Sequence, residues 1–301
     1  MLEKEQEPLP DDLAAPSGSP SELAPDSPSQ PPPSGPAAWP AWTAFTALVG
    51  GVVLATIGSL LVDIPALAFG VNLTSSHVPP GLTIADTAVQ DAGFIAVAVF
   101  FARLGGRAVD ASMFGLRATR LWRALRLLVG MLVVYFVFSL VWAEVFNTSK
   151  EKLLEQLGTN ETTTLLVLSA ALTCVIAPLA EEFLFRGYIF SALRNWRGTL
   201  PAALITGLLF GGVHVGSAPA IDLLPLAALG FGLCLLYRAT GSLYPCIAAH
   251  CINNSIAFAS LESWVWWKAL VLMAAALGVL WLLAAALTRA GVIRSEQPLA
   301  T

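Results

Sequence analysis

Three groups of polar residues interrupt apolar stretches in the second half of the chain, and their chemical types suit hydrolysis. In chain order they are Glu181-Glu182-x-x-x-Arg186, Phe210-x-x-x-His214 and His250-x-x-x-Asn254. A buried glutamate near another carboxylate holds a proton more tightly than usual and can act as a general base on water. A neutral histidine can share that proton, and histidine and asparagine side chains can donate hydrogen bonds to a developing oxyanion.

Helical spacing separates the two glutamates. Glu182 and Arg186 are four residues apart, so they can pair on one face of a helix. Glu181 points about 100° away from Glu182 and is free to meet another polar group and water. His250 and Asn254 are also four residues apart, so both project from one face. The spacing therefore predicts one paired and one available carboxylate.

The composition places these residues in a membrane protein. Of the 301 residues, 56% are apolar and 12% are charged. Soluble domains carry about a quarter charged residues, so lipid must be the solvent for much of this surface. The net charge of −4 comes from the amino-terminal region, because the remainder is close to neutral. No basic surface suited to nucleic acid is indicated.

Eight apolar segments of membrane-spanning length follow the first 40 residues, which predicts an all-α, polytopic transmembrane helix bundle. The predicted spans are 43–68, 87–103, 123–146, 163–194, 199–215, 221–237, 242–261 and 267–288. Pro178 lies within the fourth span and predicts a kink or break there. Gly211-Gly212 in the fifth span would let another helix approach close to His214.

Residues 1–40 form a separate region. They are acidic and rich in proline and serine, so they cannot bury enough apolar surface to fold, and we expect a disordered cytoplasmic tail. Residues 41–301 form the predicted transmembrane helical domain. The four cysteines all fall in apolar segments without a C-x-x-C pair, so we expect them to be packing residues.

The arginines predict the orientation of the bundle, because cytoplasmic connections are enriched in basic residues. They cluster before the third span, between spans four and five, and after spans six and eight. With eight spans, both termini are then cytoplasmic. The opposite side keeps three basic residues, Lys150, Lys152 and Lys268.

The three groups, ordered along successive apolar segments, resemble the family of CAAX-processing endopeptidases and bacteriocin-immunity-type proteins, which are glutamate-type intramembrane peptidases. The resemblance covers about residues 163–261, the expected peptidase core. It implies an all-helical bundle whose site opens toward the cytoplasm and acts on a membrane-associated protein or peptide. The spread of this family and the absence of organelle-targeting features favour a bacterial inner membrane.

The resemblance also implies roles for single residues. Glu181 would activate water together with His214, and His250 and Asn254 would form the oxyanion site. The other two charged motif residues receive structural or supporting roles, and these are Glu182 and Arg186. No cofactor is expected, because the glutamate-type account needs no metal.

Three alternatives stay open at this point. Glu181, His214 and His250 could instead form a zinc site with two histidines and one glutamate. The chain could also be a non-catalytic immunity or scaffold protein that retains the site residues. A transporter that uses charges near the membrane midplane is a further alternative, although repeated halves are not evident in the sequence.

Overall fold

The structure is a computed structural model that describes residues 39–73, 78–104, 106, 108–146 and 162–293. The predicted disordered tail lies outside the described residues, except for its last two positions. One of these, Trp39, is buried against the aromatic rings of Phe114 and Tyr188.

Within the described ranges the chain forms eight long helices, and no β-strand occurs there. In chain order they are α1 Trp42–Ala68, α2 Pro80–Ala102, α3 Leu121–Phe146, α4 Thr163–Arg197, α5 Thr199–Gly212, α6 Leu223–Thr240, α7 Tyr244–Leu261 and α8 Trp266–Arg289. Two short 3₁₀ helices, Ala111–Phe114 and Ala220–Asp222, precede α3 and α6. Each predicted apolar segment thus corresponds to one helix.

Six of these helices, α1, α2, α3, α4, α6 and α8, are long and apolar enough to cross a membrane. The remaining two are α5 and α7. Helix α5 is apolar but has 14 residues. Helix α7 has 18 residues and carries His250, Asn253 and Asn254. The prediction of an all-α transmembrane bundle is therefore confirmed, and the chain is an integral membrane protein.

Two predicted helix boundaries were wrong at positions that concern the site. Helix α2 begins at Pro80 rather than at residue 87, because the polar residues of its first turns lower the local hydropathy without preventing a helix. Helix α5 ends at Gly212, so His214 lies in the turn that follows rather than inside the span. The backbone N–H of His214 donates to Gly211 O at 3.2 Å in that turn.

Helix α4 runs through Pro178 without a break, over 35 residues. A π-helical stretch, Leu172–Ile176, immediately precedes the turn that contains Pro178, and a second stretch spans Phe183–Phe190. Such wide turns are frequent at functional sites. Here they flank the two glutamates, so the expected perturbation of the helix takes the form of wide turns rather than of a break.

Glycines bring α5 and α6 into backbone contact. A Cβ atom added at Gly207 would lie 2.7 Å from Ala227 O, and one at Gly211 would lie 2.5 Å from Leu223 O. The close approach predicted beside His214 is confirmed at Gly211, since only a residue without a side chain fits there. At Gly212 an added Cβ would meet nothing within 4 Å.

Candidate active site

A fully buried ion pair stands at the centre of the bundle. Arg186 Nη1 lies 2.8 Å from Glu182 Oε1, and neither side chain is exposed. Arg186 Nη2 also donates to Gly230 O at 3.1 Å, and the guanidinium lies over the Phe210 ring at 4.5 Å. The predicted pairing of Glu182 with Arg186 is confirmed. Each side chain supplies the opposite charge that the other needs in a medium where an unpaired charge is very unfavourable.

Glu182 has a second partner that spacing along the chain did not reveal. His250 Nδ1 of α7 lies 2.9 Å from the same Oε1 atom. Because an ionised carboxylate only accepts hydrogen bonds, Nδ1 carries the hydrogen and donates it to Glu182. In the neutral imidazole Nε2 then has a free lone pair, and this atom lies 3.8 Å from Glu181 Oε2.

Among the described residues, Glu181 has no hydrogen-bond partner at one of its two carboxylate oxygens. Its residue is 8% exposed, and its Oε2 atom is buried and accepts no hydrogen bond among the described residues. The separation of 3.8 Å from His250 Nε2 is too long for a hydrogen bond. An unsatisfied buried carboxylate oxygen is unfavourable unless water or a ligand reaches it. Glu181 is therefore placed to hold a water molecule.

The turn after α5 holds His214 in one tautomer. His214 Nδ1 lies 2.8 Å from Phe210 O, and since a carbonyl only accepts, Nδ1 must donate. In the neutral ring Nε2 is thus a free acceptor. The Phe210 ring packs against both histidines, with centroids 5.1 Å from His214 and 5.7 Å from His250.

Asn254 is oriented by two hydrogen bonds. Its Nδ2 donates to Thr173 O at 2.9 Å, and its Oδ1 accepts from Asn253 Nδ2 at 3.1 Å. An amide nitrogen has two hydrogens, so one donor remains available on Asn254. Asn253 therefore orients its neighbour, a role that the sequence analysis did not identify.

One cavity of about 250 Å³ joins the predicted catalytic residues. Glu181, His214, His250 and Asn254 all contribute to its lining, as do Thr173 of α4 and Gln90 of α2. Glu182 and Arg186 lie behind this lining and are fully buried. The cavity has room for several water molecules and is bordered by enough polar groups to hold them.

Asp91 of α2 is a site neighbour that sequence reasoning missed. It is 1% exposed, and neither carboxylate oxygen has a hydrogen-bond partner in the described part of the chain. It interacts electrostatically with Glu181. A lone acid in an apolar span was the available signal, because such residues usually face the interior of a bundle.

The zinc alternative stays a prediction. Within the described ranges no group of three His, Cys, Asp or Glu side chains is arranged so that it could hold a metal ion. Glu181, His214 and His250 nevertheless line the same cavity and offer donor types that zinc accepts. A direct test of metal dependence is therefore needed.

Comparisons with known proteins bear on the same segment. Residues 163–256 match the family model described as "Type II CAAX prenyl endopeptidase Rce1-like". A stretch of 81 residues, 27% of this chain, is 36% identical to "Putative membrane peptidase YdiL" of Bacillus subtilis (strain 168). This match spans 32% of that relative, about a third of its length. No solved structure matches the chain. The resemblance noted from the sequence is confirmed over the segment that carries the motifs.

Proposed function

We propose that the protein is an intramembrane endopeptidase of the CAAX-processing type, which hydrolyses a peptide bond of a membrane-associated protein or peptide. The observation that carries this proposal is the unpartnered carboxylate oxygen of Glu181 on a polar cavity inside the membrane bundle. His214, His250 and Asn254 border the same cavity, and all four residues fall in the segment that matches the endopeptidase family.

The first step of the proposed reaction activates water. Glu181 accepts a proton from a water molecule in the cavity, and the water oxygen forms a bond to the carbonyl carbon of the scissile peptide. The Nε2 lone pair of His214 accepts a hydrogen bond from the same water and orients it. This requires the tautomer that the contact with Phe210 O imposes.

The second step stabilises the oxyanion and releases the amine. The free Nδ2 hydrogen of Asn254 donates to the new oxyanion. His250 can also donate to the oxyanion from Nε2 when the ring carries a second proton. The carbon–nitrogen bond then breaks, and the proton held by Glu181 passes to the leaving nitrogen.

We place the protein in a bacterial inner membrane with both termini in the cytoplasm. The relative over 81 residues comes from a bacterium, which supports the first part. The arginines at the carboxyl ends of α2, α4, α6 and α8 support the second part under the positive-inside rule.

Substrates can be sought by comparing the termini of membrane proteins in cells that carry the wild-type chain or Glu181→Gln. New termini that depend on Glu181 are the expected result. Glu144→Gln, which changes an exposed acid at the end of α3, serves as the matched control and should leave the termini unchanged. If the wild-type chain and Glu181→Gln give identical termini, a non-catalytic protein is the better explanation.

Activity is expected to survive exhaustive chelation. The proposed water activation uses the carboxylate of Glu181 and the imidazole of His214, and neither group needs a metal for proton transfer. The measurement is cleavage of a reporter substrate before and after treatment with a zinc chelator, together with metal analysis of the purified protein. The alternative zinc site would be established by three results together. The purified protein would contain one zinc ion per chain, chelation would remove both the zinc and the activity, and added zinc would restore the activity.

A further inference from the structure

A second cavity, of about 680 Å³, lies between α3, α7 and α8. In the described part of the chain it shares no lining residue with the cavity around Glu181. Helices α3 and α8 each pack against α7, which forms the floor of a groove between them. Its lining comes from the start of α3, the start of α7 and the second half of α8. We call it the α7 groove. Ligand sites usually measure about 300–1,000 Å³, so a lipid-sized molecule fits here.

The α7 groove is lined by apolar side chains except at three hydroxyl groups. Two of these are satisfied within the chain. Thr119 Oγ1 donates to Thr240 O at 3.2 Å. Thr288 Oγ1 donates to Ala284 O at 2.8 Å. The third, Tyr244 Oη, is buried and has no hydrogen-bond partner among the described residues. Because a buried hydroxyl without a partner is unfavourable, the groove suits an occupant that brings an acceptor.

The walls of the α7 groove are open to the surroundings of the bundle. Leu121, Leu125 and Trp281 belong to its lining and are all exposed. In an integral membrane protein such exposed apolar surface meets lipid rather than water. A lipid molecule can therefore enter the groove from the side.

Arginines border the α7 groove at one end of the bundle. Arg120 lies in the sequence between the lining residues Thr119 and Leu121. Arg289, the last residue of α8, follows the lining residue Thr288. Both arginines are exposed, and no charged residue belongs to the described lining itself. The groove thus combines an apolar interior with a basic rim.

We propose that the α7 groove binds an anionic phospholipid of the cytoplasmic leaflet. The acyl chains fill the apolar interior, an ester carbonyl accepts a hydrogen bond from Tyr244 Oη, and the phosphate lies beside Arg120 and Arg289. The orientation proposed above places this end in the cytoplasm, where basic residues near the membrane attract anionic lipids. A second copy of the chain is a poorer occupant, because a symmetric dimer would bring two basic rims together.

Helix α7 separates the bound lipid from the proposed active site. Ala248 and Ile252 line the α7 groove. His250 and Asn254 line the cavity around Glu181. The lipid therefore packs against the back of the helix that carries two of the site residues. A ligand that binds only the folded chain stabilises it, so phosphatidylglycerol should raise the melting temperature in detergent.

Native mass spectrometry of the full chain in mild detergent tests the site. Delipidated protein receives an equimolar mixture of phosphatidylglycerol and phosphatidylcholine, and the ratio of the two adducts is measured. Phosphatidylglycerol should dominate on the wild-type chain. Arg120→Gln combined with Arg289→Gln should lower this preference about 25-fold, because each basic residue near a membrane surface contributes about fivefold. Arg197→Gln, at the end of α4 and next to no lining residue in the sequence, is the control and should keep the preference.

Two further variants test the location. Ala285→Phe narrows the groove from α8 and should abolish the adduct. Ala286→Phe changes the next residue, which does not belong to the lining, and should retain it. Tyr244→Phe keeps the ring and should weaken binding about two- to tenfold, the usual contribution of one hydrogen bond. If Ala285→Phe does not fold, Tyr244→Phe and the arginine pair decide.

Equal adducts with the two lipids, an unchanged ratio in the arginine pair, or an adduct that survives Ala285→Phe would overturn the proposal. So would a dimer that forms in place of the lipid adduct and is lost in Ala285→Phe, since the groove would then bind a second copy. Lipid binding needs no hydrolysis. A specific adduct on a chain without peptidase activity would therefore retain this site and discard the proposed function.

Discussion

Glu181→Gln should fold normally and lose about 10²–10⁴-fold in the rate of peptide cleavage, the usual cost of removing a general base. The amide keeps the size of the carboxylate and its capacity to accept one hydrogen bond, but it cannot take a proton from water. Glu181 makes no ion pair with a permanently charged partner in the described chain, so its charge is not needed to hold other helices in place. The measurement is reporter cleavage beside a thermal melt in detergent.

Glu144→Gln is the matched control for that experiment, because it removes one exposed carboxylate that does not line the cavity. It should leave both the rate and the melting temperature unchanged. If Glu181→Gln cleaves the reporter at the wild-type rate, the proposed mechanism is wrong whatever the other variants show. A low rate accompanied by a large fall in melting temperature would indicate a structural role for Glu181 instead.

Glu182→Gln is expected to be strongly destabilised, by about 3–5 kcal/mol, the cost of leaving one partner of a buried ion pair without its counter-charge. Arg186 has no exposed surface and would lose its carboxylate partner, while neutral contacts such as those with Gly230 O and the Phe210 ring would remain. His250 would also lose the carboxylate that accepts from its Nδ1. The free energy of unfolding in mild detergent, or the yield of folded protein, measures the effect.

The double variant Glu182→Gln with Arg186→Met separates stability from function. It removes both charges, and replacement of a buried pair by neutral groups is often nearly neutral for stability. Much of the lost stability should therefore return, while cleavage stays slow because His250 is no longer oriented by a carboxylate. A single variant as stable as the wild type would show that the pair does not support the bundle.

Local patterns were sufficient to predict the class of structure. Hydropathy over windows of about twenty residues predicted eight apolar helices; a helix occurs at each position in the described chain, and six of them are long and apolar enough to cross a membrane. Spacing of four residues predicted the contact between Glu182 and Arg186, because neighbours on one helix meet wherever the helix packs. The match to the endopeptidase family falls on the segment that the ordered motifs had marked.

The sequence predicted the helix boundaries less well, because the end of a helix depends on what it packs against. His214 lies past the end of α5, where the chain turns after the close contact of Gly211 with Leu223. The polar start of α2 forms a helix because it packs against α1 instead of facing lipid alone. Neither outcome is encoded in the hydropathy of the segment itself.

The sequence also could not show which residues of different helices meet. The bond from His250 to Glu182 joins residues 68 positions apart, and Asp91 reaches the neighbourhood of Glu181 from a helix near the amino terminus. Whether a polar cavity forms around Glu181 is of the same kind. It depends on how α2, α4, α6 and α7 pack against one another, because each of these helices contributes part of the lining and no single segment specifies the arrangement.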